Sequence, residues 1–465
     1  MKDLTIAEAS RHIAAKSLSP VDLVQERLQR VGEFNSDVAA FITITADQAL
    51  EQARAAERRI TKCGPTTPLD GIPIGHKDLI DTAGIRTTAH SKLLEDHVPT
   101  SDATVVTKLR QAGAISLGKL ATLEFALAGP SFDLPWPPAR NPWNTEYFTG
   151  GSSTGTAAAI AAGMILGGTG TDTAGSIRGP AAFCGVSGIK PTYGRCSRKG
   201  VFPLAQSFDS TGPMAWTAED CAILLQQMAG HDPLDPASSS APVPDYVRGL
   251  GQGVKGLRVG VIRQFYERDH AVCDETRRGI DRSLEILETE GAILQDVVLS
   301  PLQAYSTATR VIMNCEASSV HRDWIRTRTS EYGQRMRNRL IVASLISATD
   351  YVDAQRRRRE LTFELTQTMR NVDVVISAIT AGEASRMDEI PLWDGFGKPS
   401  LAAPWNLTGL PAISVCTGFG DAGLPLGLQI GGRAFDEATI LRVAHTLEKA
   451  TPWRQRRPRM VSDVH

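Results

Sequence analysis

Apolar positions at helical spacing dominate the first 60 residues. Ser19 before Pro20 marks a helix start with proline in the first turn, and Val21, Val24 and Leu28 follow on one face. Residues 1–60 therefore read as a helical segment. Beyond it, short apolar runs of strand character alternate with helical patterns to the end of the chain. Residues 103–112 predict a helix running into a strand at 114–117, and 217–228 predict another helix. Such alternation is the grammar of an α/β fold, with helices covering the faces of a sheet. The one convincing break is 231–256, rich in Pro, Ser, Gly and Asp and followed by an apolar strand-like run at 257–262. By pattern alone that strand can open a second domain or join the same sheet. No internal repeat or low-complexity tract interrupts the chain.

Two glycine-rich stretches carry candidate chemistry. The first, Gly71-Ile-Pro-Ile-Gly-His-Lys77-Asp78, sets Lys77 at the end of a β-prone run. The second holds Gly150-Gly151-Ser152-Ser153 and, further on, Gly170-Thr-Asp-Thr-Ala-Gly-Ser176-Ile-Arg178. A serine ending a glycine run sits among exposed backbone N–H groups, because glycine lets the chain turn with positive φ. Acyl transfer needs that setting: a nucleophile, donors for an oxyanion, and a base within reach. A lysine serves as the base when desolvation leaves it neutral. Spacing alone leaves a second reading open, in which Lys77 pairs with Asp78 at the surface and the serines cap helices. Strand alternation points His76 away from Lys77, so it reads as a strand residue rather than a second base.

These stretches resemble the signature of the amidase signature family. So do Gly185-Val-Ser-Gly-Ile-Lys-Pro-Thr-Tyr-Gly-Arg195, Asp209-Ser-Thr-Gly-Pro213, Asn141-Pro-Trp143, Asn406-Leu-Thr-Gly-Leu-Pro411 and the segment 423–431. The likeness covers nearly the whole chain. It implies a single large α/β/α domain with a mixed central sheet over 1–465, the 1–60 segment packed on it and 231–256 a surface linker. It also implies a Ser-cisSer-Lys triad, with Ser176 as nucleophile, Ser152 as the serine on a cis peptide bond and Lys77 as base. The oxyanion hole would be the N–H groups of Thr173, Ala174, Gly175 and Ser176. Three departures stand out. Ala174 replaces a usual glycine and must avoid a strongly left-handed conformation. Thr154 and Thr156 replace the common glycine and serine, and Thr149 replaces a common proline.

The activity implied is hydrolysis of a carbon–nitrogen bond in a small-molecule amide, carbamate or urea through an acyl-enzyme. The family alternative is a glutaminase-type subunit of an amidotransferase. The acyl pocket is expected from the loops 126–140 and 378–405, with Ala126, Ala128, Gly129 and Trp136 as binding residues and Trp393, Phe396 and Trp405 as aromatic walls. Asp172 and Arg178 flank the nucleophile with opposite charges and are expected to clamp the oxyanion loop.

Competing motifs fail on context. Gly151-Ser-Ser153-Thr-Gly155 matches the nucleophile elbow of an α/β-hydrolase-like esterase, with downstream histidines at 231, 270, 321 and 445, but Pro142, Thr149 and Gly150 stand where its buried strand should run. Ser116-Leu-Gly-Lys119 lacks the partner motifs of a Ser-x-x-Lys enzyme. Gly113 to Lys119 nearly completes a phosphate loop, but Leu120 replaces the required hydroxyl residue. Gly251-Gln-Gly253-Val-Lys-Gly256 precedes a strand instead of following one.

Composition narrows the setting. The chain has 465 residues, 42% of them hydrophobic, enough for a large core, and its 50 basic against 51 acidic residues give no field for nucleic acid or an acidic membrane. Seven scattered cysteines without Cys-x-x-Cys spacing argue against a disulfide framework or a structural zinc site. The first residues lack a secretory apolar region and no run reaches membrane-spanning length, so a cytoplasmic enzyme without cofactor or metal is expected. A small-molecule substrate, no nucleic acid and no membrane are the expected partners, with room for a homodimer. The basic run 356–359 reads as a solvated helix face.

Overall fold

The computed structural model describes residues 3–393 and 397–462. Its strands are β1 (Phe41–Ile44), β2 (Pro73–Lys77), β3 (Ile115–Leu120), β4 (Gly167–Asp172), β5 (Ser187–Lys190), β6 (Ser210–Ala215), β7 (Arg258–Val261), β8 (Ile293–Asp296), β9 (Val374–Ala378), β10 (Ala412–Phe419) and β11 (Pro425–Gly432). All eleven join one sheet in the order β1-β3-β2-β4-β6-β5-β10-β11-β9-β7-β8. The sheet is mixed: β3-β2-β4 and β9-β7-β8 are parallel, and the strands between them pair antiparallel. Every residue of β2, β4, β5, β6, β9 and β11 is buried, which requires helices on both faces. The single α/β/α domain with a mixed central sheet is the architecture found.

The helix Pro20–Val38 starts where the cap residues place it. Ser19 Oγ accepts from the N–H groups of Val21 and Asp22, and Leu23, Val24, Val31 and Val38 face the core. The N-terminal 60 residues are not all helix, however. Phe41–Ile44 forms β1, pairing antiparallel with β3 at the sheet edge, so this segment extends the sheet as well as packing on it. Four residues between two helices are too few to show an alternation in sequence.

Residues 231–256 are irregular but anchored. Asp232 accepts from Thr104 Oγ1 (2.6 Å) and Ser197 Oγ (2.5 Å), Asp235 accepts from the Arg198 N–H (2.8 Å), and Tyr246 and Val254 are buried. The strand that follows, β7, lies in the common sheet between β9 and β8. The basic run 356–359 is not wholly solvated either. Arg358 turns inward from the helix Ala348–Thr368, donates to the carbonyls of Leu407 (2.8 Å) and Ser207 (3.0 Å) and lies over the Phe208 ring. Among the described residues no helix is long and apolar enough to cross a membrane.

Candidate active site

Parallel pairing of β2 with β4 brings their C-terminal ends together, with His76 level with Thr169. Lys77 ends β2 fully buried, and its Nζ donates to Ser152 Oγ (2.7 Å) and Thr171 Oγ1 (2.8 Å). Burial lowers its pKa to about 7, while the charges of Asp172 and Asp209 oppose that shift. Lys77 does not pair with Asp78 at the surface. The Asp78 carboxylate is buried, accepts from Thr88 and lies 3.6 Å from Lys119 Nζ. His76 is buried apart from the serines, with Nδ1 3.3 Å from Thr169 Oγ1. Burial and the Lys119 charge lower it to about 3, so the imidazole is neutral.

The Gly151–Ser152 peptide is cis, and the Ser152 carbonyl accepts from the Leu123 N–H (3.1 Å). Ser153 faces inward. Its N–H donates to the Ser176 carbonyl (3.1 Å), its hydroxyl donates to the Thr171 carbonyl (3.3 Å), and it does not line the cavity that Ser152 and Ser176 share. The nucleophile-elbow geometry is therefore absent at Ser153.

Below Ser176 lies the clamp. Arg178 donates through Nε to Asp172 Oδ2 (3.0 Å) and through Nη2 to Oδ1 (3.2 Å), both residues being fully buried. Asn406 Nδ2 donates to Asp172 Oδ1 (2.8 Å), while its Oδ1 accepts from Arg178 (2.6 Å). Gln429 Oε1 accepts from Arg178 Nη1 (2.7 Å). Burial would raise the Asp172 carboxyl, but the charge and hydrogen bonds of Arg178 with the Asn406 amide hold it well below the usual carboxylate range.

Asp172 also takes up one of the expected oxyanion donors. It accepts the Gly175 N–H (2.8 Å), and Gly175, at φ 111°, does not line the cavity, whereas Thr173, Ala174 and Ser176 do. Glycine's positive φ turns this N–H toward the carboxylate. Ala174 stays out of the left-handed region, as its side chain demands.

The cavity above this floor measures about 260 Å³. Leu123 and residues 126–129 form one wall, which includes the expected Ala126, Ala128 and Gly129. Met313, Arg335, Arg339, Leu392 and Trp393 form the other. Trp136 does not reach it: its carbonyl lies 3.1 Å from His90 Nε2 and Arg86 stacks over its ring. Trp405 is buried against the backbone of Gly431, and Phe396 lies outside the described residues. Sequence reasoning missed Thr171, Met313 and the arginines. Arg335 and Arg339 left one signal, a four-residue spacing that puts them on one helix face.

The remaining motifs are structural. Lys119 donates to the Ile80 carbonyl (2.5 Å) and Thr87 Oγ1 (2.6 Å). Gly113 joins the helix Thr104–Gln111 to β3, the reverse of a phosphate loop's strand-to-helix order. Among the described residues no cluster of three His, Cys, Asp or Glu is placed to hold a metal ion.

The family model described as Amidase matches residues 22–441. The A subunit of glutamyl-tRNA(Gln) amidotransferase from Geobacter metallireducens is 40% identical over 479 residues, 97% of this chain and 98% of that protein. A solved structure described as a vestigial protein complex revealing the evolutionary origins of an s-triazine catabolic enzyme matches with a TM-score of 0.90 and 32% identity, over 96% of this chain and 98% of its own. Native peptide amidase from Stenotrophomonas maltophilia matches with a TM-score of 0.85 and 28% identity, over 98% of both chains. With the fold, the serine and glycine runs and the buried lysine in agreement, the chain belongs to the amidase signature family and is an enzyme acting on carbon–nitrogen bonds.

Proposed function

We propose that the chain hydrolyses a small-molecule amide through Ser176, Ser152 and Lys77. The observation that carries this reading is the buried Lys77, brought to about 7 and hydrogen-bonded to Ser152 at 2.7 Å. Neutral Lys77 takes the Ser152 proton while Ser152 takes that of Ser176, whose Oγ attacks the amide carbon. The N–H groups of Thr173, Ala174 and Ser176 stabilise the oxyanion. The proton then returns through Ser152 to the departing nitrogen as the carbon–nitrogen bond breaks. Water, activated by the same relay, hydrolyses the acyl-enzyme and frees Ser176. Ala126, Ala128 and Gly129 border the acyl group. Seven cysteines, none in a disulfide, support a reducing, cytoplasmic setting.

A fluorophosphonate followed by peptide mass mapping tests the assignment. Label on Ser176 is expected, and label on Ser153 overturns it. A second reading, a glutaminase-type component of an amidotransferase, is favoured by the full-length likeness to the glutamyl-tRNA(Gln) amidotransferase protein. A panel of amides, anilides, carbamates and esters assayed on the purified chain separates the two. Turnover by the chain alone supports an independent amidase, whereas ammonia release from glutamine that appears only with added partner proteins supports the second reading.

A further inference from the structure

The two long walls of the cavity come from distant parts of the chain, and one buried carboxylate joins them. The first wall is the tight turn at 123–129, where the N–H groups of Ala126 and Leu127 donate to the carbonyls of Leu123 (2.8 Å) and Glu124 (3.0 Å). The second is the helix Gln334–Ala343, which carries Arg335 and Arg339 to the cavity. Arg335 also donates to the carbonyls of Ile390 (2.7 Å) and Pro391 (2.5 Å), so the helix sets the place of Leu392 and Trp393 as well.

Glu124 is 1% exposed. Its Oε1 accepts from Ser91 Oγ (2.6 Å), and its Oε2 accepts from the N–H of Gly333, the residue before the helix (3.0 Å). Asp133 accepts the next N–H, that of Gln334 (2.7 Å). Two amides at a helix start, which have no partner within the helix, are thus held by carboxylates from the loop of the opposite wall. Glycine at 333 permits the approach. A Cβ there would sit 2.9 Å from Glu124 Oε2 and 3.2 Å from Asp133 Oδ1. Burial raises the Glu124 carboxyl to about 7 against the pull of the Ser91 and Gly333 hydrogen bonds, with Asp133, Lys92 and Tyr332 as its charged or titratable neighbours.

We propose that Glu124 is a specificity-determining positioning residue, which through Gly333 sets the distance between the 123–129 turn and the arginine-bearing helix and so the acyl groups the cavity admits. This rests on the amidase reading of the cavity. The test compares Glu124→Ala, Glu124→Gln and Gly333→Ala with the wild type on two para-nitroanilides, acetyl and phenylacetyl, with fluorophosphonate labelling of Ser176 in parallel. Glu124→Ala should change the ratio of the two KM values about tenfold, the scale of one lost charge-assisted hydrogen bond, with kcat moving less than about twofold. Glu124→Gln should restore most of the ratio, because its amide can accept from Gly333 and donate to Ser91. Gly333→Ala should move it in the Glu124→Ala direction. An unchanged KM ratio in both Glu124→Ala and Gly333→Ala, with Ser176 still labelled, overturns the positioning role alone, as does a Gln variant no better than Ala. Failure of Ser176 labelling and anilide turnover in the wild type would instead strike the amidase reading.

Discussion

Beneath the cavity floor, Lys77 and Asp172 end two neighbouring parallel strands. Each buried charge there has partners held by the sheet or by loops bonded to it. On the outer wall, Arg335, Arg339 and Trp393 come from a helix and a loop far along the chain, and Trp393 is 48% exposed. A charge stranded on the floor has no water to turn to, whereas a side chain lost from the wall leaves a space that solvent enters. The floor is therefore intolerant of change and suited to chemistry common to many substrates, and the wall is free to vary with the substrate.

The largest effects are expected on the floor. Lys77→Ala should lower kcat/KM for amides by about a thousandfold or more while activated esters, whose leaving groups need no proton, lose less. Wild-type activity should rise with pH through about 7, as Lys77 loses its proton. Near-normal amide turnover by Lys77→Ala would break the contrast at its centre.

Arg178→Ala comes next. Stranding Asp172 should cost about 3 to 5 kcal/mol of stability, read in denaturant or as a lowered melting temperature. Asp172 is held below the usual carboxylate range in the folded chain. Its contribution is therefore present above its unfolded pKa and lost as pH falls through the folded one, so wild-type stability should fall in acid more steeply than that of Arg178→Ala. An Arg178→Ala protein as stable as the wild type would mean the ion pair with Asp172 is not what holds the loop before Ser176.

A smaller effect separates folding from catalysis. Lys77 is lowered from 10.5 to about 7, so between those values the unfolded chain binds the extra proton and stability rises with pH. Lys190 on β5, lowered to about 7 by burial and the Arg178 charge, contributes a second rise over the same window. Lys119, also lowered by burial, adds to the rise, and Lys77→Met should remove the Lys77 share alone, about 1.4 kcal/mol per pH unit. An unaltered pH dependence of unfolding in that variant would show that Lys77 is not the neutral base.

On the wall, Trp393→Ala should shift KM by about threefold to tenfold in a manner that depends on the acyl group, with stability within about 0.5 kcal/mol of wild type. Equal loss for every substrate would place Trp393 with the floor, and the comparison would need redrawing.

Local features are legible in the order of residues alone. The alternation of helix and strand patterns, the Ser19-Pro20 helix start, the glycine runs that end in Ser152 and Ser176, and the opposite charges of Asp172 and Arg178 all express near-neighbour physics, namely hydrophobic period, backbone φ and capping. Partner choice is not legible there. Asp78, the residue after β2, meets Lys119 rather than Lys77 because the neighbouring strand β3 supplies the second lysine. The Gly175 N–H goes to Asp172 because a positive φ turns it there. Trp136 and Trp405 do not line the cavity that Arg335 and Arg339 reach, and Phe41–Ile44 leaves the helices for the sheet edge. Apart from the local Gly175 contact, each of these outcomes depends on which segments the sheet and its covering helices bring side by side. Contacts between segments far apart in the chain leave no spacing to read. The sequence alone therefore determined the fold class and singled out Lys77, Ser152 and Ser176 as candidates, and the tertiary structure decided which groups meet them and what shape of cavity they share.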